Sequence, residues 1–253
     1  MMGPLKSGIR RAAGALGYTI QRTLEEPPAR KHPLENDPAY ADILRRVEPF
    51  TMTGCDRVGA LIDAVRYLTR AQVPGAIVEC GVWRGGSMMA AALALLEAGD
   101  VRDLYLFDTF AGMTEPGDRD IDHVGVAARP VFAQLAAGNH NEWCYASLED
   151  VRENLLATGY PEAKCHFIRG DVLETLPAVE PKQIALLRLD TDWYASTRHE
   201  LTQLYPRISK SGVLIIDDYG HWNGCRQAVD EYFADQPVLM SRIDYSGRML
   251  VRP

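Results

Sequence analysis

Residues 76–99 read AIVECGVWRGGSMMAAALALLEAG, which is a short apolar run, a glycine-rich turn and a longer apolar run. The first run has the length of a buried strand, and the second has the length of a helix that ends at Gly99. Gly81, Gly85 and Gly86 permit a tight turn and a close approach by other backbone atoms. A strand that passes through such a turn into a helix is typical of open α/β sheets, which bind ligands where their strands end.

The same alternation of strand and helix continues on the carboxyl side of this unit. Helical patterns separate further apolar segments that we predict as strands, at residues 103–110, 163–171, 184–190 and 212–219. Continuous apolar strands that alternate with helices predict a parallel sheet with helices on both faces. The segment at 237–253 holds two short β-type runs joined at Ser246 and Gly247, which predicts an antiparallel hairpin.

The chain divides into an arm, one large domain and a loop within that domain. Residues 1–38 combine a basic, weakly apolar stretch with a linker rich in proline and charge, so we predict an N-terminal arm followed by one domain at 39–253. The arm has three interpretations: a signal peptide, a surface helix that contacts a membrane or a partner, and a segment packed on its own domain. Residues 110–146 lack a clear period, which is typical of a lid or a binding loop.

The bulk composition excludes some classes of protein. The formal net charge is −7, whereas nucleic-acid binders usually carry a basic excess, so we predict no nucleic-acid partner. The five cysteines are scattered and form no CxxC pair, which predicts reduced thiols in a cytoplasmic protein and argues against a zinc site. The longest apolar stretch is too short to span a bilayer.

Acidic side chains follow the predicted strands. They are Asp108, Asp171, the pair Asp190 and Asp192, and the pair Asp217 and Asp218. A single Asp at a strand end is often the N-cap of the next helix, and for Asp171 both this interpretation and a binding role stay open. The four carboxylates of the two pairs repel one another at neighbouring strand ends, and a divalent cation would offset that repulsion. Oxygen-only ligands favour Mg²⁺, Ca²⁺ or Mn²⁺, so the pairs predict a metal site with one carboxylate spare to act as a base.

Four motifs, in this order along the chain, resemble those of the macrocin O-methyltransferase family: IVECGVWRGGS, LFDTFAGM, LLRLDTDWYAST and GVLIIDDYG. The first also resembles motif I of the class I methyltransferases that use S-adenosylmethionine. The resemblance is weak before residue 40 and across residues 110–146. It implies an α/β fold of the Rossmann-like class I methyltransferase type, with a mostly parallel seven-stranded sheet, helices on both faces and a C-terminal antiparallel hairpin.

The resemblance also implies roles for individual residues. S-adenosylmethionine would be contacted by Met52, Thr53, Glu79, Gly81, Ser87, Asp108, Asp171 and Asp190. Within that set, Glu79, Gly81 and Ser87 would face the amino-acid part of the cofactor, Asp108 its ribose and Asp171 its adenine. Mg²⁺ would be bound by Asp190, Asp217 and Asp218, and Asp192 would be the general base.

The activity implied by the resemblance is transfer of a methyl group to a sugar hydroxyl of a glycosylated small molecule, by an enzyme that forms homo-oligomers. Three alternatives stay open: a catechol-type O-methyltransferase, a nicotinamide-dependent oxidoreductase and a non-catalytic binding domain. Catechol enzymes generally carry a lysine base where this chain has Asp192 and Trp193, and GVWRGG departs from the Gly-x-Gly-x-x-Gly of nicotinamide binders. Whether His199 or His221 takes part is also open.

Overall fold

The computed structural model describes residues 32–176 and 181–253, and Pro33–Pro253 form one compact unit. The predicted arm falls mainly on residues 1–31, outside the described residues, so the arm and its membrane contact stay predictions. Homo-oligomer formation and a cytoplasmic location also stay predictions. Among the described residues, no helix combines the length and the hydropathy needed to cross a bilayer. All five cysteines lie in the described part of the chain, and none is in a disulfide.

The elements alternate in the order that the sequence predicts. The strands are β1 (Ala76–Cys80), β2 (Leu104–Asp108), β3 (Ala136–Ala137), β4 (His140–Asn141), β5 (Cys165–Arg169), β6 (Ile184–Leu189), β7 (Ile208–Ile216), β8 (Ser241–Arg242) and β9 (Arg248–Val251). The described α-helices are α1 (Ala41–Val47), α2 (Cys55–Arg70), α3 (Gly86–Glu97), α4 (Ala128–Gln134), α5 (Leu148–Leu156), α6 (Val172–Thr175), α7 (Tyr194–Leu204) and α8 (Asn223–Phe233).

Seven strands form one sheet in the order β5-β2-β1-β6-β7-β9-β8. The five strands from β5 to β7 are parallel, β9 pairs antiparallel with β7, and β8 pairs antiparallel with β9 at the edge of the sheet. This confirms the predicted fold class, including its C-terminal hairpin. Cys80, Leu189 and Ile216 lie side by side at the ends of β1, β6 and β7. The residues that directly follow these three strands therefore meet at one edge of the sheet.

Helices cover both faces of the sheet, because neighbouring residues of a buried strand point to opposite faces. In β1, Ile77 belongs to the apolar core under α1, α2, α3 and α5, whereas Val78 and Cys80 belong to the core under α7 and α8. Every side chain of β1 and of β6 is buried, which explains why these strands are apolar except at Glu79 and Arg188.

The segment 110–146 is more regular than its sequence predicts. It holds the helix α4 and a small antiparallel pair formed by β3 and β4. We did not predict α4 because Pro130 lies inside it, but proline is tolerated in the first turn of a helix, where its missing N–H has no helical partner. The segment is also fixed to α7, since the Asp120 carboxylate accepts a hydrogen bond of 2.8 Å from the Tyr194 amide.

Candidate functional site

The glycine turn after β1 is pressed between two other chain segments. Gly81 has a φ of 80°, and a Cβ at this position would overlap the carbonyl oxygen of Asp190 in the loop after β6. A Cβ on Gly86 would lie 2.5 Å from the carbonyl oxygen of Phe50, in the segment that leads into α2. Only glycine has the shape for these contacts, so the turn brings the loop after β6 and the segment before α2 together.

Asp108, at the end of β2, stabilises this turn through its carboxylate. Its Oδ2 accepts hydrogen bonds from the amides of Val82 (2.7 Å) and Trp83 (3.3 Å), and its Oδ1 accepts one from the amide of Phe110 (2.7 Å). Burial raises the pKa of Asp108, while these amide bonds lower it. Asp108 also lies on the wall of the cavity described next, where its predicted contact with a ribose stays a prediction.

A cavity of about 390 Å³ opens at this edge of the sheet. Nine of the residues predicted to bind the cofactor or the metal, or to act as base, line it: Met52, Thr53, Gly81, Ser87, Asp108, Asp190, Asp192, Asp217 and Asp218. Asp171 lines a smaller adjoining cavity of about 60 Å³ that shares Gly81, Asp108 and Asp190 with the first. Asp171 also caps α6, since it accepts a hydrogen bond of 2.9 Å from the Leu173 amide. For Asp171, the capping and the binding interpretations are therefore compatible.

Glu79 is placed differently from its prediction, because it lies behind the cavity wall. Its Oε1 accepts a hydrogen bond of 2.5 Å from Arg188, and both side chains are almost completely buried. Its Oε2 is buried without a hydrogen-bond partner in the described part of the chain. Burial raises the pKa of Glu79 to about 8, although Arg188 lowers it. In this structure, Glu79 holds Arg188 and does not line the cavity.

Arg188 connects acidic groups that come from three neighbouring strands. Besides Glu79, its guanidinium group donates to Asp190 at 2.6 Å and to Asp217. We refer to these four side chains as the Arg188 cluster. A fully buried arginine would be costly without counter-charges, so these acids account for a basic residue inside an otherwise apolar strand. Arg188 also donates to the hydroxyl of Thr53 at 3.0 Å, which fixes the segment before α2 at the cavity.

The structure groups the acids differently from the predicted metal-ligand set, which stays a prediction. Asp190, Asp192 and Asp218 each offer a carboxylate oxygen, and these oxygens lie within 4.8 Å of one another. We refer to these three residues as the acid triad. Asp217 belongs to the other side of the strand end and is bound by Arg188 and Arg57. The prediction placed Asp217 in the set and kept Asp192 apart, whereas Asp217 here faces the two arginines and Asp192 lies beside Asp190 and Asp218.

The pKa values of these acids are raised. Burial and then the charge of Asp190 raise the pKa of Asp192 to about 7, and burial and then Asp192 raise that of Asp218 well above its usual range. Burial raises the pKa of Asp217 only to about 6, because Arg188 and Arg57 lower it. The acid triad carries an excess of negative charge, which a divalent cation or bound protons would offset.

Aromatic residues form the rest of the cavity wall. Trp143 and Trp222 lie on the wall, where their rings contact each other and the buried ring of Trp193. The Trp222 indole donates a hydrogen bond of 3.0 Å to Asp192 Oδ2, so it orients that carboxylate. His221 and Tyr245 complete the rim, with 3.2 Å between His221 Nδ1 and the Tyr245 hydroxyl.

Sequence reasoning missed several residues of this wall. They are Arg57, Trp143, Cys144, Tyr245 and Ser246, and of the two histidines that were left open, His221 lines the cavity and His199 does not. Arg57 is on α2, far from the strand-end motifs, and gave no local signal. Arg188 did give one, because a charged residue inside the run IALLRLD requires a buried partner.

Comparison with known proteins shows which family and which solved structures this chain is similar to. The family model of the macrocin-O-methyltransferases (TylF) matches residues 30–251. A tetracenomycin-type 4'-O-methyltransferase of Streptomyces olivaceus, whose named substrate carries a 2,3-dimethoxy-α-L-rhamnosyl group, is 37% identical over 78% of this chain and 73% of its own. Demethyldecarbamoylnovobiocin O-methyltransferase of Streptomyces niveus is 33% identical over 86% of this chain and 85% of its own. The solved structure of the O-methyltransferase NovP superposes with a TM-score of 0.69, at 32% identity, and covers 84% of this chain and 88% of that one.

Proposed function

The chain belongs to the macrocin-O-methyltransferase (TylF) family, and from this premise we propose that it transfers a methyl group from S-adenosylmethionine to a sugar hydroxyl of a glycosylated natural product. The observation that carries the proposal is the acid triad. It stands in one cavity with the glycine turn after β1, so a methyl donor and an ionisable hydroxyl can be held side by side. One related enzyme, whose named substrate carries a rhamnosyl group, supports the sugar assignment.

The cavity fits S-adenosylmethionine. Gly81, Gly86 and Ser87 line the cavity, where the backbone of the glycine turn would accommodate the amino-acid part of the cofactor. Met52 and Thr53 would cover the cofactor from the opposite side. The ribose would lie toward Asp108 and the adenine toward the smaller cavity at Asp171. The Oε2 of Glu79 is buried without a hydrogen-bond partner among the described residues, and the cationic amino-acid part of the cofactor would offset its charge from the other side of the turn.

The donor set also fits Mg²⁺, because it consists of carboxylate oxygens on separate chain segments. Asp190, Asp192 and Asp218 would hold the ion. When bound, Mg²⁺ would lower the pKa of a neighbouring hydroxyl and neutralise the excess negative charge.

The remaining steps depend on side chains of this chain. We propose that Asp192 accepts the proton of the attacking hydroxyl, since it lines the cavity and Trp222 orients its carboxylate. The oxygen of the acceptor then attacks the methyl group in line, and the protein contributes mainly by alignment. Trp143 and Trp222 would contact the faces of the sugar, and His221 and Tyr245 would contact its hydroxyls at the rim.

A methylation assay with acceptors of different classes tests this function. Purified protein, S-adenosylmethionine and Mg²⁺ are incubated with a rhamnosyl glycoside or with a catechol, and the product is identified by the mass of one added CH₂. We expect the glycoside alone to be methylated, and Asp192→Asn to bind S-adenosylmethionine without turnover. Methylation of the catechol alone would favour the catechol-type alternative. Heat of binding with NAD but none with S-adenosylmethionine, measured by calorimetry, would reject methyl transfer.

A further inference from the structure

The loop that carries two residues of the acid triad contains a strained turn. Asp192 has a φ of 67°, and the Trp193 amide donates a hydrogen bond of 2.7 Å to the carbonyl of Thr191, across that single residue. A bond that spans two residues around a positive φ describes a γ-turn of the rare kind. A residue other than glycine in this region costs about 1–3 kcal/mol, and it persists only where its surroundings hold it.

Thr191, in the middle of the loop, is held by α7 at its hydroxyl and at its carbonyl. Its hydroxyl donates a hydrogen bond of 2.8 Å to Glu200 Oε1, and its carbonyl accepts one of 3.3 Å from the Ser196 hydroxyl. On the other side, the Asp190 amide donates to the carbonyl of Cys80 at 2.9 Å. The loop is therefore fixed between the end of β1 and the helix that follows it.

Glu200 is an unusual residue for its position in α7. Its side chain is 0% exposed, inside the face of the helix that packs on the sheet. Within the described residues it has no ion pair, and its Oε2 is buried without a hydrogen-bond partner. Burial of an acid in this way costs free energy that an apolar residue of the same size would not cost. The hydrogen bond with Thr191 is the contact that an apolar residue could not make.

We propose that Glu200 is a positioning residue, which acts through the Thr191 hydroxyl to hold the γ-turn at Asp192, so that Asp190 and Asp192 face the same point in the cavity. The consequence for turnover rests on the proposed function, whereas the consequence for the turn does not. The acids keep their geometry because the loop between them is fixed from α7 by Glu200, which lines neither cavity.

Two substitutions remove the Thr191–Glu200 hydrogen bond, and two others serve as controls. Thr191→Val and Glu200→Leu each abolish it with nearly the same volume. Glu200→Gln keeps an acceptor oxygen for the Thr191 hydroxyl, so its exchange rate and kcat should equal those of the wild type. Thr202→Val is the matched control, since the Thr202 hydroxyl is exposed and bonds only to the Arg198 carbonyl of its own helix.

The first readout is amide hydrogen exchange of the peptide that contains residues 190–193, followed by mass spectrometry on the protein without ligands. We expect exchange in Thr191→Val and Glu200→Leu to be faster by about tenfold, with Glu200→Gln and Thr202→Val unchanged. Exchange at the wild-type rate in both of the first two variants would overturn the proposal, whatever reaction the protein catalyses.

The second readout is steady-state kinetics. A misplaced base lowers kcat with little effect on KM, so Thr191→Val and Glu200→Leu should lose about ten- to a hundredfold in kcat. The melting temperature of Glu200→Leu should not fall, because an apolar residue replaces a buried acid. The double variant should be no slower than either single variant, since both remove one interaction. Multiplicative losses in the double variant, or a normal kcat in both single variants, would contradict the proposal.

Discussion

Replacing a carboxylate by its amide should have opposite effects on stability at Asp217 and at Asp192. Asp217 is buried between Arg188 and Arg57, so Asp217→Asn leaves two cations without a counter-charge. Asp192 has no ion pair among the described residues and faces other carboxylates, so Asp192→Asn removes a repulsion. The amide can still accept the hydrogen bond from Trp222 that orients this side chain.

The magnitudes follow from burial and charge. Removing one partner of a buried ion pair costs about 3–5 kcal/mol, which we expect as the loss for Asp217→Asn. At about 2–4 °C in Tm per kcal/mol, the melting temperature should fall by about 10 °C. In contrast, the pKa of Asp192 is raised from 3.8 to about 7. At about 1.36 kcal/mol per pH unit, its charged form is disfavoured by about 4 kcal/mol, so Asp192→Asn should be as stable as the wild type or more stable.

The sign of the pH dependence gives a second check. A carboxyl whose pKa is raised by folding binds more protons in the folded state, so the wild type loses stability as the pH rises from about 4 to about 7. Asp192→Asn lacks this loss, and its advantage should be larger at about pH 7.5 than at about pH 5. Urea unfolding at both pH values, in buffer with a chelator and no divalent cation, measures these differences.

Equal destabilisation by Asp217→Asn and Asp192→Asn would refute this reasoning. A titration with Mg²⁺ then separates the two ligand sets. The acid triad predicts that Mg²⁺ raises the melting temperature of the wild type and of Asp217→Asn, but not that of Asp192→Asn. If Asp217→Asn lost the response and Asp192→Asn kept it, the set that the family resemblance implies would be correct and ours would be wrong.

Three further outcomes are expected. Gly81→Ala should abolish S-adenosylmethionine binding in calorimetry, because its Cβ would overlap the Asp190 carbonyl, whereas Gly99→Ala, also at a positive φ but in open space, should bind normally. Tyr245→Ala should raise the acceptor KM by about five- to tenfold without changing the Kd of S-adenosylmethionine, since Tyr245 lies on the cavity rim; an unchanged KM would remove it from the acceptor site. Burial raises the pKa of Glu200 to about 8, so the wild type should lose stability as the pH rises through about 5 to 8, and Glu200→Gln should show a shallower slope in urea unfolding.

The fold was predictable because it depends on local patterns. The strands β1, β2, β5 and β6 lie within the predicted apolar runs, β7 begins at Ile208, before the run predicted at 212–219, and the glycine turn after β1 is where the sequence indicates. Nine of the predicted site residues share the cavity because strand ends must meet at one edge of a parallel sheet. The helix α4 was missed, since it is short and Pro130 interrupts its sequence pattern.

The motifs did not predict which acids face a metal site and which pair with arginines. Neither DTD nor DD indicates which carboxylate turns toward a cation and which turns toward an arginine. The choice depends on Arg57, which arrives from α2, and on Arg188, which lies in the strand itself. Such contacts between distant segments are set by tertiary packing, and a single sequence carries no record of them. The same is true of Tyr245 and Trp143 on the rim.

The Arg188 cluster has a consequence for how this protein can be re-engineered. Its four side chains depend on one another for hydrogen bonds and counter-charges in the interior, so a change at any one of them requires a compensating change at another. The aromatic rim is under no such constraint, because each of its members stands on a loop and carries no shared charge. Libraries that vary only Trp143, His221 and Tyr245 should therefore yield folded proteins with new acceptor preferences, whereas libraries that include the strand ends should consist mostly of insoluble chains.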